Sequence, residues 1–366
     1  MNKKILIFYT SIGLGHQMIA ENIGWHLERA GFTVQLADIG QVQKGKLSAV
    51  LINLHGLINK HLPFLWSWFY KSKIIYHLSS PFRLPLASRN FEATLKFIRD
   101  FNPDLVITVQ TTASAVLAYL KSRQLYNKFW VIGFSDFHLH RFWLYDNCDY
   151  YLANIAAQKQ EMVNLGLAPE KIAVCGIALK PIIKVDAMAV RLKLQIRPGQ
   201  KVILVGIGSL GLGLNQKALG QLTAMANMKI IIVCGKNQAL FQTLSAAYHS
   251  NPNVKVLGFY SPMDELYAIA DIFVTKPGGL TTAEALRRHL PLVVTHFLPG
   301  QEELNIRYLL RKNLILALPK DLPAAIQAEL SRHELKNRLA DSVDVKQIAQ
   351  DGTAVVTAIS GLLHDV

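Results

Sequence analysis

The chain has 366 residues, 51% of them hydrophobic and 17% charged, which suits two domains with their own cores and excludes a disordered or low-complexity protein. A formal net charge of +14 asks for an anionic partner: nucleic acid, an acidic membrane surface or a phosphorylated substrate. Cys148, Cys175 and Cys234 are few, odd in number and unclustered, so a disulfide framework is excluded and a reducing cytosol is expected. No apolar run reaches bilayer-spanning length, and the run 5–8 is too short for a secretory leader before it meets a glycine turn.

Residues 5–9 read as a buried strand, Ser11-Ile12-Gly13-Leu14-Gly15-His16 as a turn, and 17–30 as a helix with Ala20, Ile23, Gly24 and Leu27 on one face. Gly31 stops that helix and a second strand runs to Asp38, so the chain opens as a βαβ unit. The paired glycines suggest a dinucleotide turn, but the third glycine of that fingerprint is Met18. His16 stands at the helix entrance, where a histidine serves as a cap, a solvated group or a general base.

No acidic residue lies between Asp38 and Glu92, while Lys44, Lys46, Lys60, Lys71, Lys73, Arg83 and Arg89 do. Leu47, Val50, Leu51, Leu54 and Ile58 recur at helical spacing, followed by Phe64, Trp66, Trp68, Phe69 and Tyr70. Apolar spacing with basic flanks and Trp/Tyr describes a segment lying in a membrane interface; the other reading is a core helix with a solvated basic edge. Lys60, Trp66, Trp68, Lys71 and Lys73 are the expected membrane residues.

A helix at 92–101 and a strand at 105–109 follow, then a helix opened by Thr111, Thr112 and Ser114. The strand 130–134 ends in Ser135-Asp136-Phe137-His138-Leu139-His140-Arg141-Phe142-Trp143. Asp136, His138 and His140 raise a metal site, but no further ligand cluster accompanies them and none is expected. A strand at 151–153, a helix at 158–165 and a strand near 172–177 close the first domain, and 181–198 is a basic crossover.

The second domain opens with a strand at 202–205 and the turn Gly206-Ile207-Gly208-Ser209-Leu210-Gly211-Leu212-Gly213, which suits phosphates. Strands at 230–234 and 254–257 follow, the latter ended by Gly258-Phe259-Tyr260. The stretch 271–305 then reads as strand 272–274, a break at Pro277-Gly278-Gly279, a helix 281–289 and strand 292–294. Pro299-Gly300 closes that strand. Thr281 or Thr282 is expected to cap the helix, with Glu284 in its first turn. Free backbone N–H groups and the helix dipole make such a break a phosphate cradle. A carboxylate such as Glu284 suits a ribose diol, and Gln301 with Glu302, at the same carboxyl edge of a parallel sheet, suits sugar hydroxyls. Plainer roles stand beside these: a tight turn, a carboxylate favouring the dipole, the start of the next helix. A strand is expected near 314–318 and a last helix over about 345–363, returning to the first domain.

The run KPGGLTTAEAL, followed by LP and PGQEELN, closely resembles the donor-site motif of bacterial monogalactosyl- and processive glucosyl-diacylglycerol synthases. These are two-domain nucleotide-sugar transferases related to the peptidoglycan precursor transferase. The S-x-G-x-G-H turn matches the same family, as does the S-D-F segment, with Ser135 where the family has Thr. The resemblance covers most of the chain and is weakest from Asp38 to Glu92. It implies an α/β protein of GT-B type, with two Rossmann-like domains facing a central cleft. These are an acceptor and membrane-facing domain at 1–180, with a terminal helix 345–366 packed back on it, and a UDP-sugar domain at 199–344.

The implied reaction moves glucose or galactose from UDP-glucose or UDP-galactose to diacylglycerol with inversion, with His16 as base. The donor would be held by Gly208, Ser209, Phe259, Tyr260, Gly278, Gly279, Thr281, Thr282, Glu284, Gln301 and Glu302. Phe259 and Tyr260 occupy the place that related transferases use for uracil. Acceptor contacts would come from Gly13, Gly15, Asp136, His140 and Trp143. No cofactor or metal is expected, since the sequence holds no Asp-x-Asp. The expected partners are the donor, diacylglycerol and anionic membrane lipids, with no nucleic acid, at the cytoplasmic face of the cell membrane. A polyprenyl-linked acceptor, or a UDP-sugar epimerase of the same architecture, are the alternatives. A nucleic-acid binder would explain the charge but shows no binding motif.

Overall fold

A computed structural model describes residues 3–11, 14–43, 68, 72, 85, 91–208 and 216–364, and only the backbone of Leu14 and Gln301. The expected helical stripe from Leu47 to Ile58 lies outside the described residues, as do Gly13, Ser209, Lys60, Trp66, Lys71 and Lys73. The chain divides into two compact units, Met1–Lys180 with Gln347–Val366, and Pro181–Lys346.

In the first unit six parallel strands, β1 (Lys4–Tyr9), β2 (Thr33–Asp38), β3 (Leu105–Thr108), β4 (Phe129–Gly133), β5 (Tyr150–Ala153) and β6 (Ile172–Val174), are ordered β2-β1-β3-β4-β5-β6. A two-residue strand, β7 (Ile177–Ala178), follows. The described helices of its first 180 residues are α1 (Leu14–Arg29), α2 (Ile39–Gln43), α3 (Phe91–Phe101), α4 (Thr111–Ser122) and α5 (Ala156–Asn164). Ile5, Leu6, Ile7 and Phe8 are all fully buried, which is why β1 reads as an unbroken apolar run: helices cover both faces of a parallel sheet. The buried Trp130 indole N–H donates to Thr108 Oγ1 at 2.9 Å, and Thr108 shares a 2.9 Å hydrogen bond with Ser114 Oγ. This satisfied network ties β4, β3 and α4 together beneath the carboxyl edge. α1 begins at Leu14, three residues before the expected start, so His16 lies in the first helical turn.

In the second unit α6 (Ala187–Lys193) is capped by Asp186, whose carboxylate accepts from the Met188 and Ala189 N–H groups. Six parallel strands follow: β8 (Lys201–Gly206), β9 (Met228–Val233), β10 (Val254–Leu257), β11 (Ile272–Thr275), β12 (Leu292–Val294) and β13 (Leu316–Ala317). They are ordered β10-β9-β8-β11-β12-β13. Between them run α7 (Gln216–Thr223), α8 (Gln238–Tyr248), α9 (Asp264–Ile269), α10 (Gly279–Arg287) and α11 (Gln301–Arg311), with α12 (Leu322–Arg332) and α13 (Glu334–Asp341) after β13. The order reverses between β1 and β3 in one sheet and between β8 and β11 in the other. Such switch points leave a crevice at the carboxyl edge.

Two expectations about α10 are corrected. Its N-cap is Gly278, in extended conformation and without a side-chain cap, so neither threonine caps it. Thr282 already donates its N–H to the Gly278 carbonyl at 2.9 Å. Glu284, sixth in the helix, therefore lies in the second turn.

The terminal stretch is also not one helix. α14 (Val343–Ile348) leads into β14 (Ala349–Gln350), which pairs in parallel with β7, and α15 (Thr353–His364) then packs on α1. Gly352, at φ +82, turns the chain out of β14, and the Asp351 carboxylate accepts from the Thr353 N–H at 3.0 Å at the start of α15.

Candidate active site

At the switch point of the first sheet, His16 comes from the first turn of α1, directly after β1. The Val109 carbonyl, just past β3, and the Asp136 carboxylate, past β4, both act on its ring. The Trp143 ring lies 6.4 Å away between centroids, tilted by 43°. Burial lowers the imidazole pKa below its ordinary 6.5, while Asp136 and the Val109 carbonyl pull the other way. Its Nδ1 is buried without a hydrogen-bond partner. A neutral imidazole with a spare ring nitrogen, beside a carboxylate, has the properties of a general base.

The neighbours of His16 have their own supports. Ser135 Oγ donates to Asp136 at 2.9 Å, and Asn154 Nδ2 donates to the Asp136 carbonyl at 3.0 Å. His140 caps the short turn Arg141–Trp143, its Nδ1 accepting from the Phe142 N–H at 3.2 Å. That turn presents Trp143 to His16. Gly15 is exposed, with open space where a Cβ would stand. In the sequence Asp38 reads only as a strand end. Its carboxylate accepts from Ser11 Oγ, and from the Gly40 N–H at 2.8 Å, so it fixes the start of the glycine turn.

At the switch point of the second sheet, Gly208 follows β8 at φ +79, a conformation that suits glycine. Lys276 and the Pro277-Gly278-Gly279 turn follow β11. Asn305, fully buried in α11, donates from Nδ2 to the Pro277 carbonyl at 3.0 Å and fixes that turn. Thr281 is half-buried, whereas Thr282 is fully buried and its hydroxyl has no partner. Glu284 accepts from the Tyr267 hydroxyl at 2.9 Å. Glu302, in the first turn of α11, is 5% exposed; it pairs with Lys276 and accepts from the Leu298 N–H at 2.7 Å. Gln301 opens α11, and its side chain lies outside the described residues.

Phe259 projects beyond β10 and is 60% exposed, with the Lys236 ammonium 5.9 Å from its ring centre. Tyr260 is tied elsewhere: its hydroxyl donates to Glu265 and accepts from Lys193 at 3.2 Å. The sequence reading gives no role to Lys276, His296, Tyr267 or Asn305, although Lys276 and Asn305 lie inside the KPGGLTTAEAL…PGQEELN motif. Trp68 is 58% exposed. Among the described residues no helix is long and apolar enough to cross a membrane.

Residues 30–179 match the family model of monogalactosyldiacylglycerol (MGDG) synthase, and residues 202–348 match the glycosyltransferase family 28 C-terminal domain. A processive diacylglycerol beta-glucosyltransferase of Bacillus pumilus is 29% identical over 363 residues, covering 96% of this chain and 90% of that protein. Among solved structures, a putative UDP-N-acetylglucosamine 2-epimerase of Listeria monocytogenes gives a TM-score of 0.63 at 12% identity, over 100% of this chain and 98% of its own. A glycosyltransferase of Streptomyces sp. SF2575 gives 0.63 at 11% identity, over 98% and 100%. At these identities the likeness shows the fold alone, the GT-B type expected from the sequence, with a Rossmann-like sheet in each unit.

Proposed function

We propose that the chain, which matches the monogalactosyldiacylglycerol synthase family over 30–179 and the glycosyltransferase family 28 C-terminal domain over 202–348, transfers a hexose from a UDP-sugar to diacylglycerol. The order of those two domains carries the reading, because it joins a glycolipid-synthase half to a nucleotide-sugar transferase half. The relatives are named beta-glucosyltransferases, so UDP-glucose is the first donor to test. A β-glucoside made from an α-linked donor requires inversion, hence one direct displacement.

In this displacement His16 takes the proton of the diacylglycerol hydroxyl as its oxygen attacks the anomeric carbon. Trp143 and the capping His140 shape the acceptor side. In the second unit, the glycine turn after β8 and the first N–H groups of α10 stabilise the departing UDP, which supplies by dipoles what other transferases take from a divalent metal. Glu284 holds the ribose and Gln301 with Glu302 the hexose. The protein works at the membrane surface, where its net charge of +14 attracts anionic lipid.

The test is direct. The protein is incubated with diacylglycerol vesicles and UDP-glucose or UDP-galactose, with and without a chelator, and the lipids are analysed by mass. A lipid heavier by one or more hexoses, formed equally with chelator, is expected. Interconversion of UDP-sugars without a lipid product would make the protein an epimerase.

A further inference from the structure

The groups at the carboxyl edge of β8, β11 and β12 are paired in a way that a bound donor disturbs. Lys276 leaves the end of β11 and runs its stem across Gly208: a Cβ at position 208 would stand 2.9 Å from the Lys276 Cε. The ammonium ends on one oxygen of Glu302. The other Glu302 oxygen accepts from the Leu298 N–H at 2.7 Å, so both are engaged. His296, just past β12, feels the same cation, and its Nε2 is buried without a hydrogen-bond partner.

We propose that Lys276 is a diphosphate-binding residue whose ammonium passes from Glu302 to the donor diphosphate, freeing a Glu302 oxygen for a hexose hydroxyl. The proposal rests on the donor-site reading given above. Lys276 stands two residues before Gly278, the cap of α10, and its stem crosses the turn after β8. An anion cradled by those two elements therefore lies within reach of its head. The exchange keeps the ammonium beside a negative charge at every stage, which limits the desolvation cost. Glu302 gains a hydroxyl donor only when a hexose is attached. UDP alone strips the cation from a buried carboxylate and gives nothing back, so the hexose adds affinity through Glu302.

Calorimetry on the full chain with uridine, UDP and UDP-glucose tests the exchange. Lys276→Met should bind UDP roughly ten- to a hundredfold more weakly and uridine as the parent does. Lys276→Arg should recover part of the loss. Glu302→Gln should bind UDP at least as tightly as the parent, because no carboxylate competes for the ammonium, and should lose the advantage of UDP-glucose over UDP. Lys276→Met leaves Glu302 buried without its cation; should it fail to fold, Lys276→Met with Glu302→Gln removes both charges and should show the same loss for UDP. Parent-like UDP affinity in the Lys276 variants overturns the proposal, as does an equal loss for uridine, which marks a merely structural role. A parent that binds neither uridine nor UDP overturns the donor-site reading itself.

Discussion

The Tyr267 hydroxyl donates to the half-buried Glu284 carboxylate at 2.9 Å and so fixes one of its oxygens. Arg288 braces the same corner: it donates to the Glu284 carbonyl at 3.0 Å, pairs with Asp264 and lies 4.9 Å from the Tyr267 ring centre. Burial nevertheless raises the Glu284 pKa above 4.5, against the pull of Tyr267 and Arg288. Glu284→Ala should cost about 1.5–3 kcal/mol of UDP binding, the worth of hydrogen bonds to a charged group. Tyr267→Phe should cost less, since it releases the carboxylate without removing it. The affinity of the parent should fall as the pH is lowered through a value above 4.5, because protonation removes the acceptor that the ribose needs. Calorimetry with UDP from pH 4 to 8 checks all three. Unchanged affinity in Glu284→Ala reduces that residue to a member of the Tyr267–Arg288 cluster.

For His16 the expectation concerns rate. His16→Ala should lower turnover roughly 10²–10⁴-fold, the range of a positioned general base, and leave UDP affinity intact. The folded pKa lies below 6.5, and only the neutral ring accepts a proton. In the parent, kcat/KM should therefore rise with pH, bend below 6.5 and stay level through neutrality. A bend above 6.5, or near-normal turnover in the variant, removes His16 from the mechanism.

Much of this was legible in the chain because parallel strands buried on both faces leave unbroken apolar runs. Val254–Leu257 and Leu292–Val294 fall on the expected residues for that reason. Helix starts were less legible. A glycine cap such as Gly278 supplies no side chain to signal it, and Thr281 and Thr282 offered a false one. Asp351-Gly352 is a turn pair inside the stretch read as one helix over about 345–363, where the apolar pattern continues on either side of it. Lys276 sat inside the recognised motif without a role, because its pairing with Glu302 joins residues 26 positions apart. Tyr267 and His296 gave no signal at all: the groups they face, Glu284 and Lys276, are brought to them only by folding.

Gly176 gives a stability prediction. It sits at φ +64, and a Cβ there would stand 2.4 Å from the Gln347 carbonyl oxygen. Backbone cannot swing away as a side chain can, and the left-handed conformation adds its own cost. Gly176→Ala should destabilise the protein by about 1–3 kcal/mol or more, read as a lower Tm. Gly166, also at positive φ but with nothing within 4 Å of a Cβ, is the control and should lose less.

Membrane attachment is expected to depend on the basic, aromatic segment between Asp38 and Glu92. Each Lys or Arg near an anionic surface contributes about 1 kcal/mol, screened by salt. Neutralising Lys60, Lys71 and Lys73 together with Trp66→Ala should weaken sedimentation with anionic vesicles and slow glycolipid formation, with UDP affinity unchanged. Parent-like binding of this variant to anionic vesicles would place the membrane face elsewhere.

The strand pair β7–β14 sets an order of assembly. The unit that carries His16 is finished by residues 347–364, which are translated only after the whole of 181–346. At ribosomal speeds those 166 residues take on the order of ten seconds or more. In the folded unit Asn22 and His26 of α1 meet the Ala178 and Leu179 carbonyls at 3.0 and 3.1 Å, contacts supplied within 1–180, whereas the cover that α15 gives the helix comes from residues translated after 346. The helix that carries His16 is thus covered last. A gene split at residue 180 would yield the first unit without its closing strand and helix, whereas fusing 347–366 to it by a short linker would restore both.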